Sequence, residues 1–183
     1  MAIMKIINAF FLSAFYLILV APTSAAEFTV SGMINKTTCA IDYRASNVIE
    51  LPDVRVGLLQ VGVPQSASSG GALSITVSCE DPDASMAFEG RFTTKGEVDP
   101  TTLALKNILT TESGGAQDIG VQIIDTASST VIEPNAPEGQ EAVATATLNA
   151  GKATFNFDFA YVNLGNAGTG DVRVEATFIA TYL

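Results

Sequence analysis

Few side chains in this chain could do chemistry, and their types narrow the field. There is no histidine among the 183 residues, which removes the commonest general base and metal ligand. A Ser-His-Asp or Cys-His arrangement is therefore impossible. Glu80-Asp81-Pro82-Asp83 is an acidic cluster, but it lacks the ligand spacing of a dedicated calcium loop and reads as a solvated turn after a strand. Gly168 and Gly170 flank Thr169 ahead of a strand, whereas phosphate-cradling glycines stand ahead of helices. Asn35-Lys36-Thr37 fits the glycosylation triplet, a pattern that chance supplies often. Two cysteines, Cys39 and Cys79, are the remaining reactive groups. The residues point to no enzyme, no cofactor and no metal.

The fate of the cysteines depends on the compartment. Lys5 is followed by an apolar run from Ile6 to Val20, broken only by Asn8 and Ser13, then by Pro22 and the small residues Thr23 to Ala26. Positive start, apolar middle and small-residue end describe a secretory signal peptide over residues 1–25, cleaved after Ala25 or Ala26. The run is short for a membrane-spanning helix, the alternative reading. An even cysteine count in an exported chain reads as one disulfide, Cys39–Cys79. Two buried thiols are the alternative, which export disfavours. The bond would close a loop on the order of 40 residues, worth roughly 4 kcal/mol in the chain-entropy model. The formal net charge is −10, and loss of the signal segment removes only Lys5. An acidic body argues against nucleic acid as a partner, because phosphate binding needs a basic face.

The elements that must position these residues are strands. Leu73 to Cys79 places its odd residues on an apolar face, and so does Ile119 to Asp125 with Ile119, Val121 and Ile123. Thr154 to Tyr161 alternates Phe155, Phe157, Phe159 and Tyr161 with mostly polar residues. Shorter candidates lie at 39–43, 47–51, 85–92 and 141–148. Gly-, Ser-, Pro-, Asn- and Asp-rich segments link them, and no sustained helical period occurs in residues 26–183. Many short strands joined by turn chemistry indicate an all-β, antiparallel sandwich or barrel.

Both ends carry long alternating segments. At the C-terminus Val172, Val174, Ala176, Phe178, Ala180 and Tyr182 share one face; Arg173, Glu175, Thr177 and Thr181 share the other, and only Ile179 breaks the alternation. This predicts one long strand reaching to within a residue of Leu183, where chains usually fray. At the other end, Phe28, Val30, Gly32 and Ile34 fall on one face ahead of Cys39. That segment lies outside the loop the disulfide would close.

With these residues in view, the chain resembles the pilin subunits of chaperone–usher fimbriae, of the type 1 and P pilus kind. The resemblance spans residues 26–183. It rests on Gly32 seven residues before Cys39, and on Cys79 closing the Leu73–Cys79 strand. It rests also on Ile119–Asp125, on Phe157–Tyr161, and on Gly170 and the penultimate Tyr182. Two departures are the short extension, residues 26–38, and the apolar Ile179. The resemblance implies an incomplete immunoglobulin-like antiparallel β-sandwich, residues 39–183, missing its final strand, preceded by an N-terminal donor-strand extension, residues 26–38. It implies capture by a periplasmic chaperone, handling by an outer-membrane usher, and a head-to-tail polymer with neighbouring pilin subunits. Its implied place is the periplasm and then a cell-surface fimbrium serving adhesion. The donor strand would be Phe28, Val30, Gly32 and Ile34. The chaperone and acceptor strand would be Gly170, Val172, Val174, Ala176, Phe178, Ala180, Tyr182 and Leu183. A secreted β-sandwich adhesin or ligand-binding module is the rival. Residues 26–183 leave no room for a second, lectin domain, and no Trp is present to stack on a sugar. A periplasmic enzyme is the third reading, opposed by the missing histidine.

Overall fold

The computed structural model describes residues 39–43, 49–66, 72–80, 86–137 and 143–183. The expected signal segment, the expected extension with Phe28, Val30, Gly32 and Ile34, the Asn35 triplet and most of the acidic cluster lie outside the described residues. Among the described residues ten strands follow one another: β1 (Cys39–Tyr43), β2 (Gln65–Ser66), β3 (Leu73–Cys79), β4 (Ala87–Thr93), β5 (Leu105–Lys106), β6 (Ile119–Asp125), β7 (Thr130–Val131), β8 (Ala144–Thr147), β9 (Lys152–Asn163) and β10 (Thr177–Tyr182). They form two antiparallel sheets. The larger has the order β1-β3-β9-β6-β5, with β2 added to β9 and β7 to β6; the smaller has the order β10-β4-β8. The expected strands at 39–43, 73–79 and 119–125 form with those bounds, and β4, β8 and β9 overlap their expected ranges. Residues 49–51, the described part of the candidate at 47–51, join no ladder.

The core lies between the sheets. Ile75, Val77, Ile123, Phe155 and Phe157 of the larger sheet meet Phe88, Phe92, Ala144 and Phe178 of the smaller one. Phe178 packs edge-on against Phe92 and Phe155, each with ring centroids 5.3 Å away, and Phe92 packs edge-on against Phe157 at 4.9 Å. Each such ring contributes about 1.5–3 kcal/mol by burial. Gly90 makes room for this cluster: a Cβ there would lie 2.8 Å from the rings of Phe155 and Phe178.

Cys39 stands directly opposite Cys79 in the β1–β3 register, and the two are joined by a disulfide. The bond staples the first body strand to its neighbour, as expected. On the outer face of the larger sheet, Asp99 builds a turn. Its carboxylate accepts from the Thr102 hydroxyl at 2.7 Å and from the Thr102 N–H at 2.8 Å. The turn presents the Thr102 carbonyl to the Gln122 side-chain amide, and Gln122 stands opposite Ala160 in the β6–β9 register; Ala160 and Val162 are fully buried. The Thr102 hydroxyl bond, above all, holds the Asp99 carboxyl below its ordinary value.

The C-terminal strand corrects the expectation of one continuous ladder. Only Thr177–Tyr182 pairs as β10, with Thr177 opposite Thr93 and Tyr182 opposite Phe88. Residues 172–176 belong to no ladder. The reason is what lies beside them, as the site shows.

Candidate functional site

A cleft of 1480 Å³ opens between the two sheets, larger than the roughly 300–1,000 Å³ of small-molecule sites. Its floor is the inner face of the larger sheet: Ile75, Ile119, Val121, Ile123, Phe159 and Tyr161. One wall is made by Ile49, Glu50, Leu51, Asp53, Val54, Val56 and Leu59; the other runs from Gly168 to Phe178. Phe159 and Tyr161 continue the inward face that Phe155 and Phe157 begin, yet they are only half-buried. Among the described residues no layer covers them, so the described sandwich has the shape of a fold with one strand missing.

Among the described residues, the wall at 170–176 is held from one side only. The Asp171 N–H donates to the Gly114 carbonyl, the Asp171 carbonyl accepts from Ala116 N–H, and the Arg173 carbonyl accepts from Ile108 N–H, all at 2.9 Å. The Glu175 carbonyl accepts from the Thr94 hydroxyl at 2.7 Å. Asn107 completes the grip: its amide donates to the carbonyls of Asp171 at 2.8 Å and Ala116 at 3.0 Å. Its side-chain oxygen accepts from the N–H groups of Arg173 at 2.9 Å and Leu109 at 3.1 Å. All these bonds use odd residues of the segment. Along an extended chain the backbone groups of alternate residues point to opposite edges. Val172, Val174 and Ala176 therefore present theirs to the cleft, and among the described residues nothing bonds to them. An unpartnered edge beside an uncovered apolar floor is a template for an added strand.

The sequence-predicted residues fall into three groups here. Gly170 opens the wall with φ +147°, and a Cβ on it would lie 2.5 Å from the Gly114 carbonyl oxygen and 2.6 Å from the Ala116 nitrogen. Only glycine permits that approach. Val172, Val174, Ala176 and Phe178 line the cleft. Val172 packs on Leu59, Ala116 and Ile119, Val174 packs on the main core, and Phe178 reaches deepest into it. Ala180, Tyr182 and Leu183 lie beyond the cleft. Ala180 packs on the core, and the Tyr182 ring sits 4.8 Å from Phe88 with its hydroxyl donating to Cys39 Sγ at 2.7 Å. Tyr182 and Leu183 are nonetheless 47% and 69% exposed, so the expected dry face stops at Ala180. Sequence reasoning missed Asn107, which no local pattern distinguishes. It also missed the opposite wall, although Ile49 and Leu51 fell within a strand candidate.

Electrostatics in the cleft are modest. Tyr161 on the floor has its phenol pushed above its ordinary value, first by burial and then by the negative charge of Asp53 on the wall. Among the described residues no group of three His, Cys, Asp or Glu side chains could hold a metal ion. The arrangement can bind an extended peptide along its backbone, with alternate side chains entering the floor.

Together, an all-β sandwich stapled by one disulfide, with a strand-shaped groove left open among the described residues, defines the class of incomplete β-sandwiches. The fimbrial protein family model matches residues 28–183, and the chain belongs to that family. The Escherichia coli type-1 fimbrial protein A chain is 26% identical to it, over 88% of this chain and 85% of the relative. The Klebsiella pneumoniae fimbrial subunit type 1 is also 26% identical, over 82% of this chain and 80% of the relative. The fold is similar to that of a subunit in a chaperone–usher pilus, with TM-score 0.57 and 17% identity, covering 91% of this chain and all of that one. It is similar to the P pilus rod subunit PapA, with TM-score 0.50 and 16% identity, over 86% of this chain and all of that subunit. Fimbrial proteins are structural subunits of surface pili and not a class of enzyme.

Proposed function

We propose that this chain is a fibre-forming pilus subunit that polymerises by donor-strand exchange. Phe28, Val30, Gly32 and Ile34 of one copy fill the groove of the next, and their backbone pairs with Val172, Val174 and Ala176. Before that, a periplasmic chaperone's strand occupies the same groove, and an outer-membrane usher hands the subunit on. Residues 1–25 direct export, and the finished polymer stands on the cell surface in the service of adhesion. The observation that carries this reading is the set of backbone groups at Val172, Val174 and Ala176, directed at an apolar cleft with no partner among the described residues.

Three large apolar donor side chains would contribute roughly 5–9 kcal/mol by burial, before the cost of ordering the extension. Backbone bonds add direction and a modest net gain. Gly32 sits amid large residues on one strand face, which suits a point where donor backbone and groove approach closely.

The test adds a peptide of residues 26–38 to the subunit released from its chaperone and follows amide exchange. Protection of Val172, Val174 and Ala176 is expected, and a Gly32→Leu peptide should give none. Unchanged exchange at all three amides with the native peptide overturns the reading.

A further inference from the structure

Seven large apolar side chains stand exposed among the described residues: Ile41, Leu58, Val61, Val63, Ile108, Tyr182 and Leu183. Single exposed apolar residues need no explanation, but six of these seven gather at two places. Ile41, Tyr182 and Leu183 surround the disulfide: Ile41 is two residues past Cys39, and the Tyr182 hydroxyl donates to Cys39 Sγ. Leu58, Val61 and Val63 share one loop, where Val61 pairs with Asn163 and Gly62 N–H donates to the Asn163 carbonyl.

These places are opposite ends of the sandwich. In the β3–β9 register, Ser78 lies against Lys152, so the disulfide sits at the start of β9, while Asn163 is its last residue. The length of β9 separates them by about 35 Å. The Asn163 end is also where the groove ends at Gly170, since Leu59 packs with Val172 there.

We infer that these two apolar ends meet between successive subunits, the disulfide end of the donor seated on the Leu58–Val63 loop of the acceptor. The inference rests on the donor-strand reading and adds a second interface to it. The smaller sheet is antiparallel throughout, and a strand added beside Val172–Phe178 in the same sense runs from Phe28 near Phe178 to Ile34 near Gly170. It leaves the groove at the Leu58–Val63 end. Five residue steps later comes Cys39, where the donor's own body begins. That tether reaches at most about 18 Å, so the donor's Ile41, Tyr182 and Leu183 must come down beside the acceptor's Leu58, Val61 and Val63. A parallel insertion would bring two disulfide ends together and leave the Leu58–Val63 loop bare. Different surfaces meet, so the contact is heterologous and propagates without closing.

Two measurements separate this contact from the groove itself. The first is occupancy of the groove by the peptide of residues 26–38, which has no body. The second is the assembly rate of full-length subunits. A Leu58→Asp/Val61→Asp acceptor should bind the peptide like the wild type but assemble with full-length donors at least tenfold more slowly. An Ile41→Asp donor, offered to a wild-type acceptor, should show the same loss. Wild-type assembly rates with both variants overturn the contact. Failure of the peptide to bind the wild-type groove overturns the donor-strand reading instead. Should the acceptor variant lose peptide binding, the Ile41→Asp donor decides alone, because its acceptor is unaltered.

Discussion

Asn107→Ala should loosen the groove wall without touching the groove. The side chain makes four hydrogen bonds, two to the C-terminal segment at Asp171 and Arg173 and two to its own loop at Leu109 and Ala116. A hydrogen bond contributes about 0.5–1.5 kcal/mol net. Those to the C-terminal segment are solvent-exposed and belong near the low end, so the loss should total about 2–4 kcal/mol. With a urea slope near 2 kcal/mol per M, the unfolding midpoint should fall by about 1–2 M. The Arg173 amide, which donates to Asn107, should exchange faster. Asn107→Asp is the sharper variant. It keeps the acceptor but turns a charged oxygen towards the carbonyls of Ala116 and Asp171, which raises the folded-state value of the new carboxyl above its unfolded value. The penalty is therefore present in full above that raised value and is relieved as pH falls through it, since the protonated acid regains one donor. Asn107→Asp should be less stable than Asn107→Ala at neutral pH and recover towards wild type below about pH 4. Asn107→Ala should show no such recovery. An Arg173 exchange rate and a urea midpoint unchanged in Asn107→Ala would refute the claim that this side chain holds the wall.

Gly170→Ala should destabilise the subunit by about 1–3 kcal/mol or shift the wall, because the new Cβ meets the backbone of Gly114 and Ala116 at a positive φ; thermal unfolding against wild type checks it. Tyr161 should titrate above 10.0, its ordinary value, and Asp53→Asn should lower its midpoint without abolishing the shift, since burial comes first; phenolate absorbance reads both. Because the folded state resists that ionisation, stability should decline as pH rises past 10. Tyr182→Phe should keep the ring against Phe88 and retain chaperone capture, whereas Tyr182→Ser removes the ring and should abolish co-purification with the chaperone. Replacing Cys39 or Cys79 with serine should lower yield by exposing the incomplete sandwich to proteolysis, as immunoblots of periplasmic extracts would show.

Much of the fold was legible because alternation is a local property. Leu73–Cys79 and Ile119–Asp125 each read as half-buried strands from side-chain order alone, and each forms with those bounds. The two-residue strands β2, β5 and β7 were not legible, since so short a run carries no period. The buried outer face of β9 was equally hidden. Ala160 and Val162 are fully buried, and the bond beside them, from Gln122 opposite Ala160 to the Thr102 carbonyl, joins residues twenty apart in the chain.

The site divides in the same way. Composition and order alone determined the absence of histidine chemistry, the cysteine pair, and the apolar face of Val172 to Ala180. Those follow from residue types and from a period of two. Only the tertiary structure decided that this face splits: Thr177–Tyr182 pairs with β4, while residues 172–176 stand at an open edge. It alone decided that Tyr182 rests on the disulfide and that Asn107, far away in the chain, grips the strand behind the groove. A strand's own residues state which face wants burial. Whether a neighbour is there to pair with its backbone depends on the rest of the fold, and here, among the described residues, none stands beside 172–176 on the cleft side.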